Sequence, residues 1–388
     1  MQVFHCQHCD HLVFFENIRC LKCGHALAYL PDLAVMGALE PLGDELWRAL
    51  APGATQPYRL CENYRTHAVC NWAVPADDPH PLCISCRLTQ VAPDPAQPEL
   101  QLAWQKLEQA KRRVIYGLMQ LGCPIIGRGV DPEHGLAYEF RGDADAPSGA
   151  VLTGHAMGVI TVNIAEADDA ERERRRLQLH EPYRTLLGHF RHEIGHYYWD
   201  RLVKDGPRLE AFRQLFGDER ADYGEALAAH YREGPAADWQ LRFVSAYAAA
   251  HPWEDWAESW AHYLHMTDTL ETAVANGLAL QPSRADEPTL HAAQLGDSPP
   301  GPFERLIDSW FPIAYVVNNL NRCLGMPDAY PFVLSTPAID KLRLVHEIIG
   351  DAAGRTGAAP APTATPNSTV SPPGTPAPTG SGSSPTAS

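Results

Sequence analysis

His192, Glu193 and His196 form an H-E-x-x-H motif, the most chemically informative pattern in the sequence. The surroundings predict a helix, since no proline occurs from Tyr183 to Asp205. Two histidines four residues apart share one helical face, so both imidazoles can bind one tetrahedral zinc ion. The glutamate between them would then point at a water molecule on the metal. This arrangement is typical of zinc-dependent hydrolysis of peptide bonds.

A catalytic zinc ion needs a third protein ligand and leaves its fourth position open for water. An acidic segment that starts at Pro252 could supply this ligand, because Glu254 and Glu258 lie four residues apart on one helical face. One of them can bind zinc while the other holds a ligand imidazole through its second nitrogen and fixes the tautomer. Asp255 is an alternative ligand.

An H-E-x-x-H motif followed by a glutamate-bearing helix resembles the gluzincin metallopeptidases. In that group a glutamate of the downstream helix is the third zinc ligand, and an acid four residues later supports a ligand histidine. The resemblance implies that Glu254 binds the metal and that Glu258 supports an imidazole. It also implies that Tyr247, seven residues ahead of Glu254, donates to the oxyanion of the tetrahedral intermediate.

More narrowly, residues 1 to about 350 resemble the bacterial zinc-binding metallopeptidases that carry an N-terminal zinc-ribbon domain. The resemblance rests on the cysteine pairs and on three further segments, which are residues 188–198 around the H-E-x-x-H motif, residues 216–223 (F-G-D-E-R-A-D-Y) and residues 253–258 (W-E-D-W-A-E). It implies a zinc ribbon followed by a metallopeptidase domain with a metal site. It implies no particular substrate.

Eight of the 10 cysteines fall within the first 86 residues, mostly as C-x2-C pairs, in which two thiolates wrap one zinc ion. Two four-cysteine structural sites would use all eight, namely Cys6, Cys9, Cys20 and Cys23, and then Cys61, Cys70, Cys83 and Cys86. With one catalytic ion, we expect three zinc ions per chain. A disulfide-rich module is the alternative. The neighbouring histidines could replace a cysteine, but we expect loop residues at His5, His8, His11 and His25.

Composition argues against several classes of protein. The formal net charge of -16 over 388 residues argues against general nucleic-acid binding, since a surface that binds phosphates needs excess lysine and arginine. No run of 18 apolar residues occurs, so we expect no transmembrane helix. The first residues lack the basic and apolar regions of an export signal, which favours the cytoplasm.

We expect an α+β protein in three parts. Residues 1–90 form a zinc-ribbon region that is too poor in apolar pattern to fold without metal. Residues 98–350 form a mainly helical, zincin-like metallopeptidase domain with a small sheet. In zincins the strand before the metal helix borders the cleft and binds the substrate backbone, and residues 158–164 are placed for this role. Residues 354–388, rich in Ala, Pro, Thr, Ser and Gly, should be disordered.

These expectations combine into a cytoplasmic zinc metallopeptidase that acts on peptide or protein substrates. Glu193 would take the proton from the zinc-bound water, and Tyr247 would help stabilise the oxyanion. A different class stays open, in which the zinc ribbon binds a protein partner and the zincin domain is inactive or gated. An intact Glu193 argues against that alternative, since a binding module has no need of it. Hydrolysis of a non-peptide amide is a third interpretation.

Overall fold

The computed structural model of the chain describes residues 2–143, 151–178, 184–284, 286–287, 289–291 and 302–356. Most of the predicted tail, residues 357–388, lies outside the described residues, whereas residues 354–356 belong to a helix. Within the described ranges, every helix is too short or too polar to cross a lipid bilayer.

The first 75 residues are built from short antiparallel strands. Their bounds are β1 Phe4–His5, β2 Leu12–Val13, β3 Ala26–Leu30, β4 Val35–Gly43, β5 Leu46–Ala49, β6 Tyr58–Leu60 and β7 Ala73–Pro75, with a short helix α1 at Glu62–Arg65. β1 and β2 form a hairpin whose loop carries the first C-x2-C pair. The other five strands form one sheet in the order β3-β4-β5-β6-β7.

The rest of the described chain is mainly helical around a four-stranded sheet. Its elements are β8 Thr89–Val91, α2 Pro98–Gln120, β9 Ala137–Arg141, β10 Gly154–Ala156, β11 Val159–Asn163, α3 Asp169–Gln178, α4 Leu186–Leu202, α5 Leu209–Phe216, α6 Tyr223–Glu233, α7 Pro252–Ala275, β12 Ala279–Leu280, β13 Leu290–His291, α8 Phe303–Cys323 and α9 Thr336–Thr356. The sheet has the order β10-β11-β9-β8, and β12 pairs with β13. The predicted α+β fold, a strand-rich N-terminal region followed by a mostly helical domain, is confirmed.

The strand at the cleft differs from the predicted one. Residues 158–164 do not form the edge, because β11 lies inside the sheet between β9 and β10. The outer strand is β10, Gly154–Ala156, which lines the cleft. A tight turn produces this order, since Met157 and Gly158 have positive φ angles of 47° and 83° that fold the chain back. A strand of three residues is too short to show the alternation of polar and apolar side chains by which a strand is recognised in a sequence.

Close packing of α4 against α7 positions the candidate site. A Cβ atom added to Gly195 would lie 3.0 Å from the Cα of Ala257, so a larger residue at this position of the H-E-x-x-H motif would push α7 away by a few tenths of an ångström. Trp256 donates from Nε1 to the Gly195 carbonyl at 2.9 Å. Trp260 stacks on Tyr198 with ring centroids 4.7 Å apart, and both rings are fully buried. An aromatic core therefore supports the two helices.

The ribbon region and the helical domain share one hydrophobic core. Phe15 and Tyr29 of the ribbon pack against Tyr116 of α2, with ring centroids 5.1 and 5.8 Å apart. Trp72 lies against Tyr29 at 4.8 Å. The predicted boundary near residue 90 falls within β8, which pairs with β9 of the four-stranded sheet. The two regions therefore bury each other's apolar surface.

Buried charges of α2 also face the ribbon. Lys111 pairs with Glu108 at 2.9 Å, and both side chains are completely buried. Glu108 lies 3.9 Å from the sulfur of Cys86. Arg112 donates to the carbonyl of Val69 at 2.6 Å. A zinc ion with four thiolates carries a net negative charge. The positive charges of Lys111 and Arg112 therefore lie where they can balance the charge of a metal-loaded cysteine cluster.

Candidate metal centre

Helix α4 presents the motif histidines on one face. It begins after Thr185, whose side-chain oxygen accepts a hydrogen bond from the N–H of Gly188 at 2.9 Å. The Nε2 atoms of His192 and His196 lie 3.2 Å apart. Two ring nitrogens at this distance need a proton or a cation between them, since their lone pairs repel. Glu193, between them in sequence, lines the same cleft.

Helix α7 brings Glu254 to the two histidines. The side chain of His251 caps this helix, so Glu254 lies in its first turn. Oε2 of Glu254 is 3.0 Å from Nε2 of His192 and 3.6 Å from Nε2 of His196. A tetrahedral zinc ion with bonds of about 2.0 to 2.1 Å holds its ligand atoms about 3.3 Å apart. The three separations within this group, 3.0, 3.2 and 3.6 Å, bracket that value.

The carboxylate of Glu254 has an unsatisfied oxygen at this point. The residue is 1% exposed, and within the part of the chain that the structure describes no well-directed hydrogen bond reaches its Oε2. Burial disfavours the charged form, but the interactions with His196 and His192 are stronger and lower the pKa of Glu254 well below its ordinary value. A buried, ionised oxygen that lies 3.0 and 3.6 Å from the Nε2 atoms of two imidazoles fits a zinc ligand set of two histidines and one carboxylate.

Glu258 orients His192 from the other side of the ring. Its Oε1 lies 2.7 Å from Nδ1 of His192, and its Oε2 accepts from the hydroxyl of Ser245 at 2.6 Å. Burial opposes ionisation, but His192 above all lowers the pKa of Glu258 to about 2. The ionised carboxylate keeps the proton of His192 on Nδ1 and leaves Nε2 free for a metal ion.

Asp255 does not join this group, so the alternative in which it binds the metal does not fit the structure. Its carboxylate pairs with Lys341 of α9 at 2.6 Å, and both side chains are buried. Lys341 also donates to the carbonyl of Arg242 at 2.8 Å and lies 4.2 Å from the ring centroid of Phe243. Asp255 thus ties α7 to α9.

Tyr247 lies on a short 3-10 turn beside the histidines. Its ring centroid is 5.9 Å from that of His192, and the residue lines the cleft. Burial raises the pKa of Tyr247 above its ordinary value, so its hydroxyl keeps the proton. The hydroxyl of Ser245 accepts from a backbone N–H of the turn at 3.1 Å while it donates to Glu258. One carboxylate therefore anchors both His192 and the turn that carries Tyr247.

Two residues that sequence reasoning missed also reach the cleft, whose volume is about 490 Å³. Tyr223 donates from its hydroxyl to Oε1 of Glu254 at 2.6 Å. His155 of β10 lies parallel to His196 with ring centroids 6.5 Å apart, and its Nε2 accepts from the N–H of Gly158. Tyr223 ends the F-G-D-E-R-A-D-Y segment, but no spacing rule relates it to a glutamate in another helix.

The eight N-terminal cysteines come together as two four-sulfur clusters. The clusters contain Cys6, Cys9, Cys20 and Cys23, and Cys61, Cys70, Cys83 and Cys86. The close sulfur pairs are Cys6–Cys23 at 3.6 Å, Cys9–Cys20 at 3.6 Å and Cys70–Cys83 at 3.8 Å. Tetrahedral zinc with Zn–S bonds of about 2.3 Å separates its sulfurs by about 3.8 Å. None of these cysteines is in a disulfide, so the clusters fit zinc rather than the disulfide alternative.

Two histidines lie beside the first cluster. The rings of His8 and His25 stack with centroids 3.9 Å apart, and both can approach one ion together with Cys23. Cys23 already belongs to the four-sulfur cluster. His8 and His11 are exposed loop residues, as expected, and His25 is a half-buried loop residue. His5 is also exposed, but it belongs to strand β1 rather than to a loop.

We expect three zinc ions in the loaded wild-type protein and two in the His192→Ala variant. Alanine removes one donor of the α4–α7 group and leaves every cysteine in place. Elemental analysis after zinc loading and gel filtration measures the count. Cys61→Ser is the matched control, and it should release a cysteine-bound ion while the ion at His192 stays. A wild-type count that stays near one would contradict the two-cluster interpretation.

Comparison with known proteins gives two family matches. Residues 100–348 match the family described as "Putative zinc-binding metallo-peptidase", and residues 3–97 match a zinc-ribbon domain family. One protein of Mycobacterium bovis and two of Mycobacterium tuberculosis strains are each 44% identical over 354 residues, or 91% of this chain and 96% of the relative. Each is described as uncharacterized. No solved structure matches the chain.

Proposed function

The chain belongs to this family of zinc-binding metallopeptidases, and from that premise we propose that it hydrolyses peptide bonds. One observation carries the proposal. The donor atoms of His192, His196 and Glu254 lie 3.0 to 3.6 Å from one another on the floor of a cleft that also contains Glu193. A zinc ligand set and a candidate general base thus face the same space.

Each residue of the site has a distinct proposed role. His192, His196 and Glu254 would hold the ion, and Glu258 keeps His192 in the tautomer that can bind it. When bound, zinc supplies Lewis-acid chemistry, since it polarises a carbonyl group and lowers the pKa of water from near 16 toward about 7. The two cysteine clusters would hold the two structural ions.

Glu193 is the general base of this proposal. The helix places it between the two histidines in sequence and on the cleft side. Its carboxylate accepts a proton from the attacking water and can then donate it to the leaving amine. A protein that only binds a partner has no use for a carboxylate here, so Glu193 favours the peptidase over the adaptor interpretation.

The outer strand β10 gives the cleft a surface for an extended peptide. Its inner edge is paired with β11, and among the described residues its outer edge has no neighbouring strand. Gly154, His155 and Ala156 line the cleft beside the metal-binding group. A substrate chain can add to this edge as a further strand, which presents a backbone carbonyl rather than a side chain to the site.

We expect Tyr247→Phe to keep its zinc and to lose turnover. The proposed role of the hydroxyl is to donate to the developing oxyanion, and loss of one such donor typically lowers kcat by about 10²-fold to 10³-fold. Steady-state kinetics together with metal analysis would measure both effects. An unchanged kcat would remove Tyr247 from the reaction, and a lost ion would show that its ring serves to hold the site together.

Cleavage of a diverse peptide library by the zinc-loaded protein, followed by mass spectrometry, tests the proposed function. Products should appear with the loaded protein and disappear after the α4–α7 ion is removed with a chelator. If no peptide is cleaved while simple amides are, the amidase interpretation replaces this one.

The clustered, disulfide-free cysteines support a cytoplasmic location, where thiols stay reduced.

A further inference from the structure

Residues 216–223 lie beside the cleft, and none of them has a role in the reaction proposed above. Gly217 ends α5 with a φ of 104°, a conformation that favours glycine. Asp222 begins α6, because its side chain accepts from a backbone N–H in the first turn at 2.8 Å. This connection places Tyr223, the first residue of α6, in the wall of the cleft.

The ring of Tyr223 is held against the start of α7. His251 binds the carbonyl of Ala221 through its Nε2 at 3.1 Å, which joins the beginnings of α6 and α7. The ring centroid of Tyr223 lies 5.2 Å from that of His251 and 5.8 Å from that of Trp253. The phenol therefore approaches Glu254 from a fixed direction.

The two oxygens of Glu254 have different surroundings. Oε1 accepts the hydroxyl hydrogen of Tyr223 at 2.6 Å. Oε2 faces the Nε2 atoms of His192 and His196 at 3.0 and 3.6 Å. A carboxylate that binds zinc through one oxygen leaves a position open for water, whereas a carboxylate that binds through both oxygens fills it.

We propose that Tyr223 is a positioning residue that restricts Glu254 to a one-oxygen contact with the catalytic zinc and so keeps a coordination position free. This inference rests on the zinc site proposed above. Tyr223 acts through Glu254 rather than on the substrate, because its only hydroxyl hydrogen is engaged with Oε1. The F-G-D-E-R-A-D-Y segment thereby gains a function, which is to deliver this phenol.

The test compares Tyr223→Phe with wild type in the full chain, with both cysteine clusters loaded. Zinc affinity is measured by competition with a chelator, and the catalytic ion is then replaced by Co²⁺ for visible absorption. We expect Tyr223→Phe to bind zinc about 10-fold to 100-fold more weakly. Its Co²⁺ bands should lose intensity, since tetrahedral Co²⁺ absorbs more strongly than Co²⁺ with additional ligands. Tyr315→Phe, at an exposed tyrosine of α8, should change neither.

The outcomes separate this inference from the proposed function. Wild-type zinc affinity and an unchanged Co²⁺ spectrum in Tyr223→Phe would overturn the role of Tyr223 while the zinc site stands. A wild-type protein that takes up Co²⁺ only at thiolates, as its charge-transfer bands would reveal, would overturn both. If Tyr223→Phe fails to fold, Tyr223→His is tested instead, because an imidazole can still donate a hydrogen bond to Glu254. A zinc affinity of Tyr223→His close to that of the wild type supports the proposal. A folded Tyr223→His variant whose zinc affinity is far below that of the wild type refutes it.

Discussion

Replacing Glu193 with glutamine is expected to lower the rate of peptide hydrolysis by about 10²-fold to 10⁴-fold while the zinc content stays unchanged. Glutamine keeps the size and the hydrogen-bonding capacity of glutamate, but its amide cannot accept the proton of the attacking water. The proposed ligands His192, His196 and Glu254 are untouched. Kinetics on a peptide identified from the library, with metal analysis of the same sample, would measure both quantities.

A matched control separates the loss of a base from a general effect of removing negative charge. Glu210→Gln makes the same chemical change at an exposed position of α5 and should leave the rate unaltered. If Glu193→Gln retains full activity, another group is the base and the proposed mechanism fails. If the wild type cleaves nothing and Glu193→Gln changes no partner-binding property, the zinc-ribbon adaptor becomes the better interpretation.

A chain that begins at Pro98 is expected not to fold. It would lack the partners of Tyr116 and the strand β8 that pairs with β9. It would also expose the pair Glu108–Lys111, which is now completely buried. Each fully buried large apolar side chain contributes about 1.5 to 3 kcal/mol. The free energy of unfolding of a domain is only about 5 to 15 kcal/mol, so the loss of several such contacts removes most of it.

Circular dichroism and thermal unfolding of residues 98–356 would measure this effect. Residues 2–356 are the matched control, because that chain ends with the last described helix and keeps the whole ribbon. It should unfold cooperatively and bind zinc as the full chain does. Cooperative unfolding and zinc binding by residues 98–356 alone would show instead that the helical domain is independent, as a boundary between residues 90 and 98 implies.

The sequence by itself determined the features that depend on local spacing. His192 and His196 share a face because the helical repeat brings residues four apart together, and the same repeat aligns Glu254 with Glu258. Three C-x2-C pairs indicated six of the cluster cysteines for a similar reason, since the ligands of each pair are close in the chain. The other two, Cys61 and Cys70, have eight residues between them and are the remaining N-terminal pair. The motifs also identified the family, which the match to residues 100–348 confirmed.

Only the tertiary structure decided which acidic residue faces the histidines, which tyrosine contacts that residue and which strand borders the cleft. Glu254 and Asp255 are adjacent in the chain, yet one faces the histidines and the other Lys341, because α7 packs between α4 and α9. The contact of Tyr223 with Glu254 depends on how α6 meets α7, and the outer position of β10 depends on a turn. Periodicity encodes which face of an element is apolar. It does not encode which other element will cover that face, because that choice depends on the packing of the whole chain.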